Sequence, residues 1–347
     1  MKKAGHKDES ARDSVIIQVN GVTNVIADFK ISQMKVLMVI IKALQEPLKC
    51  RLNSARLGSD AYEKALPPVA WSSLEMTREL VIPVKEFGFG ANNTWYLART
   101  LEDLRQVSCR FPEVREVHGR MKVRYIFSGL ITHYVMEPYT GVVKLYMLDA
   151  MIGRLLLVEE GYGRYSLTQA MSFRNKYTVR LYWLIASWAN RGGFCISLDS
   201  MRRLLSLEGV HIRLDNFYSA VLNKARDEMK EQSVMYFEYR RLRSGDSEMI
   251  CFKVKRHYTP EDLEKLRHTA RDYMFNFCTS LGLSEPAVLP LLQEVEPEDL
   301  PVFCEKLGEV KTYIIQHRDE IVNPEGYVIT TVRKFLENWA ERFEEIR

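Results

Sequence analysis

The chain has 347 residues, 46% hydrophobic and 27% charged, with a net charge of +4. That is the balance of a globular chain of two or three domains, and it excludes a disordered protein, a collagen-like repeat and a disulfide-built miniprotein. The longest dense apolar run, Val36 to Ile41, stops at Lys42, short of the ~20 residues a membrane span needs, and the residues after Met1 lack the apolar stretch of a secretory leader.

Residues 1–13 read as a polar, disordered tail. Val15 to Val19 suggests a short strand. Ser32 is placed to cap a helix from Gln33 to about Gln45, apolar around most of its circumference and so buried. A second helix is expected over 53–66, ending at Pro67-Pro68, then an extended piece at Val81–Lys85. A helix starts near Asn93-Thr94 and runs to about Val107, with Leu97, Leu101, Leu104 and Ser108 on one face. After Phe111-Pro112 the period changes to two, giving strands at 121–127, 130–135 and 142–147.

The order then recurs. Asn175 to Asn190 reads as a helix, stopped by Arg191-Gly192-Gly193. Ser197 caps a short helix from Leu198 to Leu205, and Asp215 caps another from Asn216 to about Gln232. A hairpin follows, Val234–Arg240 and Met249–Lys255, around Ser244-Gly245-Asp246. Three helices and a β-hairpin, twice, are two winged helix-turn-helix units in tandem. Thr259-Pro260 opens a helical C-terminal part, with further helices near 286–293, 298–308 and 325–346. The expected fold class is α+β, with a tail at 1–13, winged helices at 14–158 and 159–258 joined near Glu159–Tyr165, and a helical domain at 259–347.

Charge is segregated. Residues 161–259 hold 17 Lys and Arg against 9 Asp and Glu, whereas residues 260–347 hold 10 against 18. A basic middle attracts polyanions, nucleic acid first, unless its cations only solvate a face. The acidic end suits a protein contact or regulation. Six cysteines without a C-x-x-C pair point to reduced thiols inside a cell, with neither a zinc ribbon nor a redox couple.

Searches for chemistry return no P-loop, no H-E-x-x-H and no G-x-S-x-G elbow, and Gly88-Phe-Gly90 reads as a turn. The seven histidines are scattered, so a nickase's metal-binding pair is missing. No catalytic residue, metal ligand or cofactor is expected.

DNA contact is the positive reading. On the helix from Asn216, Phe217, Val221, Leu222, Ala225 and Met229 turn inward, leaving Asn216, Ser219, Ala220, Asn223, Lys224 and Asp227 outward. Asn can pair with adenine, and Lys with guanine or phosphate. Tyr218 has two readings, a sugar–phosphate contact or a core residue. Arg240, Arg241 and Arg243, with Lys253, Lys255 and Arg256, would grip phosphates from the hairpin. Arg202 and Arg203 either touch phosphate or pair with nearby acids. In the first unit Asn93, Thr94, Arg99, Arg105, Arg120, Lys122 and Arg124 are candidates, on a surface that could equally join two copies.

The run Lys176-Tyr-Thr-Val-Arg-Leu-Tyr-Trp-Leu184 resembles the K-Y-S-x-R-L-Y-E-L run of the iteron-binding plasmid replication initiators, the Rep proteins with two winged-helix domains. Ile196 to Leu205 resembles the helix that follows in that family. Asn216-Phe…Val221-Leu-Asn-Lys-Ala…Glu228-Met229 resembles its recognition helix, and Gly141 to Leu148 the strand closing the first domain. The resemblance covers roughly residues 32–256. It implies binding of double-stranded direct repeats at a plasmid origin, recruitment of host proteins such as helicase, homodimers through the first domain, and a bacterial cytoplasmic setting without membrane contact. Tyr218-Ser219-Ala220 replaces the family's basic residues, implying a different repeat. Asn323-Pro-Glu-Gly-Tyr-Val328 looks like an N-P-x-G-Y helix start of replication-associated domains. A transcriptional repressor of the same fold is the alternative function, and a metal-dependent origin nickase a further one.

Overall fold

The computed structural model describes residues 14–53, 69–70, 77–89, 93–117, 120–137, 139–210, 213–244 and 247–343. The expected tail at 1–13, nearly all of the expected helix at 53–66, and Gly245-Asp246 of the hairpin turn lie outside them. The fold is α+β. Contacts divide it into two compact units, residues 1–187 with 202–228, and residues 188–201 with 229–347.

In the first unit, β1 (Val15–Val19) pairs antiparallel with β8 (Tyr162–Ser166), Val15 opposite Ser166 and Val19 opposite Tyr162. The segment read as an inter-domain joint is therefore largely a paired strand. Its middle glycine is required: a Cβ on Gly163 would sit 2.8 Å from the Ser187 backbone nitrogen, so β8 lies directly on α6 (Lys176–Trp188).

Helix α1 (Ile31–Ala43) is buried on nearly all sides, as its composition demands. It starts before Ser32, which is not its cap. The Gln33 side chain folds back and accepts the Lys30 N–H at 2.7 Å, which satisfies the helix entry. α2 (Gln45–Leu52) follows.

A four-stranded antiparallel sheet runs β2 (Val69–Ala70), β3 (Thr77–Pro83), β7 (Val142–Leu148), β6 (His133–Met136). Leu80 opposite Leu145, and Ile82 opposite Val143, face the core. β4 (Cys109–Val117) and β5 (Arg120–Ser128) form a separate hairpin. Phe111-Pro112 lies inside β4 rather than before it, which a proline tolerates in a two-stranded ribbon with open edges. α3 (Thr94–Arg105) buries Leu97, Thr100, Leu101 and Leu104. The short α4 (Asp149–Leu155) and α5 (Leu167–Ser172) were not anticipated.

Arg180 of α6 is 3% exposed. One guanidinium nitrogen donates to the carbonyls of Val25 and of Leu204, the latter at 3.1 Å, and its second terminal nitrogen has no partner among the described atoms. Burial pulls its pKa down to about 10, against a smaller upward pull from Cys109. Burial likewise pushes the neighbouring Cys109 thiol up to about 12, so that cysteine is inert at neutral pH.

In the second unit a three-stranded sheet runs β10 (Met235–Ser244), β11 (Ser247–Arg256), β9 (Gly193–Ser197). Strand β9 follows the Gly-Gly stop and was not read from the sequence. It sets Cys195 directly opposite Cys251, and the two are disulfide-bonded with their Cα atoms 4.0 Å apart. That corrects the expectation of six reduced cysteines. Cys50, Cys109, Cys278 and Cys304 are free.

Thr259 caps α9 (Pro260–Leu281) as expected: its hydroxyl accepts the Asp262 N–H at 3.2 Å, and its own N–H donates to the Asp262 carboxylate at 3.0 Å. α10 (Leu300–Gln316) and α11 (Pro324–Phe343) pack with it around Met274, Phe277, Phe303, Leu307, Val310 and Val332. At the start of α11 the Asn323 side chain accepts the Gly326 N–H at 2.9 Å, which gives the N-P-x-G-Y run a capping role.

Candidate nucleic-acid interface

One continuous helix, α8, runs through Leu214–Asn216, Phe217–Asn223 and Lys224–Gln232. Its middle is π-wound. The apolar residues explain why. Phe217, Val221, Ala225 and Met229 recur every fourth residue, with Tyr218 and Leu222 beside them. On an α-helix each such step drifts by about 40°. The i→i+5 bonding of the π-turn lowers the twist per residue and draws that drift back, so all six are less than a tenth exposed. The expected inward set is thus buried in full, and Tyr218 (7% exposed) takes its core reading. Asp215 is not the cap; it lies in the first turn, after Arg213.

Outward, Asn216, Ser219, Ala220, Lys224 and Asp227 are exposed, and Asn223 is half-buried. The Ser219 hydroxyl donates to the Asp215 carbonyl at 2.8 Å, leaving its oxygen free only to accept. Towards its end the helix is anchored by Glu228, whose carboxylate accepts the Arg174 N–H at 2.7 Å and the Thr178 hydroxyl. This holds the helix on the start of α6. Together these features make a rigid element with one core face and one polar, cation-bearing face.

Arg202 and Arg203 take the structural alternative. On α7 (Leu198–Leu204), Arg202 donates to the Val210 carbonyl at 2.6 Å, and Arg203 pairs with Glu208 at 3.0 Å. That carboxylate, which also meets Arg110 at 3.3 Å, pushes the Arg203 pKa further up. Both arginines brace the turn between α7 and α8.

The hairpin cations divide into two sets. Register across β10 and β11 puts Phe237, Tyr239, Arg241 and Arg243 on one face with Phe252 and Ile250. It puts Arg240 on the other face with Lys253, Lys255 and Cys251. Arg241 pairs with Glu248 at 2.7 Å, and Arg243 is exposed. On the second face Lys253 meets Asp299 at 3.1 Å with 12% of its side chain exposed, and Lys255 meets Glu298 at 3.2 Å. Period two thus turns these two lysines to the face where Glu298 and Asp299 lie, and a phosphate would have to displace those carboxylates to reach them. Arg240 is half-buried there and Arg256 exposed.

In the first unit Asn93, Thr94 and Arg99 are exposed on α3, and Arg105 pairs with Glu102 at 2.7 Å. Trp95 (63% exposed) and Tyr96 stand beside them, unnoticed in the sequence because only the inward stripe was sought. Arg120 and Lys122 are exposed on β5, and Arg124 pairs with Glu113. The other face of β5 exposes Met121, Val123, Tyr125 and Phe127 in a row. Among the described residues no cluster of three or more His, Cys, Asp or Glu is placed to hold a metal, and no helix is long and apolar enough to cross a membrane.

Compared with known families, residues 15–186 match the model described as the initiator replication protein WH1 domain. The chain belongs to the replication initiators. The match spans the first unit's sheets and hairpin together with α6, where the K-Y-S-x-R-L-Y resemblance lies. This initiator thus falls in a family of DNA-binding proteins rather than of classical enzymes. Among solved structures, 24 chains match. The Pi initiator protein, crystallised in complex with iteron DNA, is 16% identical, with 70% of this chain and 98% of that chain covered and a TM-score of 0.47. A structure of domains 2 and 3 of RctB is 8% identical, covering 65% of this chain and 82% of the other at a TM-score of 0.33. No curated protein sequence matches.

Proposed function

We propose that this initiator binds direct repeats in double-stranded DNA at a plasmid origin, with the outer side of α8 in the major groove. Asn216, Ser219 and Asn223 read base edges, and Lys224, Arg241 and Arg243 hold phosphates. The observation that carries this is α8 itself, with Phe217, Tyr218, Val221, Leu222, Ala225 and Met229 buried and Asn216, Ser219 and Lys224 left outside, in a chain of initiator family. Asn93, Thr94, Arg99, Arg120 and Lys122 give the first winged helix a second set of DNA contacts. The functional division is a winged helix at each of 14–158 and 159–258 and a helical domain at 259–347 that meets host replication proteins such as helicase. The protein does no chemistry on DNA and works in the bacterial cytoplasm.

Footprinting the full chain on DNA flanking its own gene tests this. Protection of tandem repeats is expected; one protected palindrome at a promoter would favour the repressor reading instead. Supercoiled origin DNA incubated with magnesium or manganese should stay intact, and a nick or covalent adduct would restore the nickase. Asn216→Ala with Asn223→Ala should lower the preference for repeat over scrambled duplex by roughly tenfold, since a good side-chain-to-base pair is worth ~1–3 kcal/mol. Equal losses on both duplexes would remove their base-reading role.

A homodimer forms through the row on β5. Four exposed apolar side chains on one ribbon face are what a second copy would cover. Val123→Ser with Phe127→Ser, at residues 56% and 64% exposed, should leave the fold intact and shift sedimentation towards monomer. An unchanged oligomeric state would clear this face of that role.

A further inference from the structure

Residues 260–347 are acidic, yet one cleft in the second unit is basic and aromatic. It consists of two adjoining cavities that share Lys306, Phe335 and Trp339. The first, about 200 Å³, is lined by Trp188 and Phe194 together with Phe335 and Trp339 of α11. The second, about 260 Å³, is completed by Thr331, Lys334 and Asn338 and has no carboxylate in its wall. Each is smaller than the ~300–1,000 Å³ of a drug-sized pocket and suits one flat ring system.

The walls are held rigidly. Trp188 stacks on Phe194 with ring centroids 5.5 Å apart, and Phe335 lies 5.9 Å from Trp339. Trp339 is seated against Gly192, where a Cβ would come within 2.2 Å of the indole at a φ of +68°. Cations already lie over these rings: Arg191 over Trp188 at 5.2 Å, and Lys306 over Phe335 at 5.8 Å. Arg191 and Lys334 are exposed. Two acids, Glu305 and Glu309, line the first cavity, and Glu309 is occupied with Lys306 at 2.9 Å. Aromatic walls with cations at the rim are the chemistry that holds an unpaired base by stacking and its phosphate by charge.

We propose that this cleft takes two successive nucleotides of single-stranded DNA, one base in each cavity, with the exposed Arg191 and Lys334 on the phosphates. Duplex cannot enter, because its bases are stacked and paired. The shared chemistry is a nucleobase carrying a phosphate, so a free nucleotide is the other source. The proposal goes beyond duplex recognition and rests on it only for where the strand comes from, an origin opened beside the bound repeats.

The test uses the full chain and a labelled single strand of about 12 nucleotides, within the usual footprint of such sites, beside repeat duplex in the same buffer. Lys334→Glu, at an exposed position, should weaken single-strand binding by about fivefold or more and leave duplex binding within about twofold. A strand carrying 5-bromodeoxyuridine should photo-crosslink to the peptide holding Phe335 and Trp339. Displacement of the strand by deoxynucleoside monophosphate at equal affinity would keep the site and assign it to free nucleotide. No adduct on that peptide, an unchanged Lys334→Glu, or equal loss on both DNAs overturns the proposal. A chain that holds single strands but ignores repeat duplex would sink the origin reading and leave this one standing.

Discussion

Replacing Lys224, Arg241 and Arg243 together by alanine is expected to weaken binding to repeat and random duplex alike, by roughly 100-fold near physiological salt. Each cation that neutralises a phosphate releases counterions, so the slope of log K against log salt should shrink by about 0.9 per residue. The three residues are not equivalent. Lys224 and Arg243 are exposed, whereas Arg241 already holds Glu248 at 2.7 Å. A slope change near three means that phosphate displaces Glu248. A change near two means that Arg241 keeps its carboxylate and only the other two touch DNA. No change at all would remove both α8 and the hairpin tip from the interface. Lys253→Ala supplies the contrast: its ammonium is held by Asp299, so the slope should not move.

Arg180→Ala should be the most damaging single change to stability. The guanidinium holds the carbonyls of Val25 and Leu204, both of which lose their partner in the variant. Two buried acceptors at ~1–3 kcal/mol each, with a cavity in addition, come to about 4 kcal/mol. For a unit of this size that is a fall in Tm of roughly 8–16 °C by calorimetry. Arg180→Met keeps most of the volume and removes a charge with no carboxylate bonded to it, so its cost should be clearly smaller. The pH dependence has a definite sign. Burial lowers the folded-state pKa to about 10. Below that the arginine is protonated whether folded or unfolded, and only above it does the folded state bind fewer protons and gain stability. The Tm gap between wild type and Arg180→Met should therefore be flat from about pH 5 to 9. A gap that changes steeply in that range would mean the site contains another titrating group.

What could be read from the sequence was whatever depends on near neighbours. The inward side of α8 followed from apolar spacing alone, as did the Thr259 cap and the burial of α1. The π-winding was implicit in the same fourfold spacing but needed the fold to choose it over a drifting α-helix. Strand β8 was taken for a joint because Tyr162-Gly-Arg-Tyr165 has no apolar alternation; its partner, β1, lies near the other end of the unit. The partners of the hairpin lysines were hidden for a similar reason. Alternation predicts that Lys253 and Lys255 share a face, but not that Glu298 and Asp299, more than forty residues on, cover it. Cys195 and Cys251 are 56 residues apart, and only the register of β9 on β11 brings them together. The exposed Trp95 and the row on β5 were missed because a search for a core does not look outward.

The π-wound middle of α8 has an evolutionary reach. Such a turn is what one added residue leaves inside an α-helix. Losing a residue between Phe217 and Asn223 would return the segment to α-winding, leave the surface downstream of it, Lys224 included, on its present face, and change only which side chains the shortened turn presents outward. A descendant plasmid could thus acquire a new preferred repeat through a single codon deletion, with every remaining side chain in this helix unchanged.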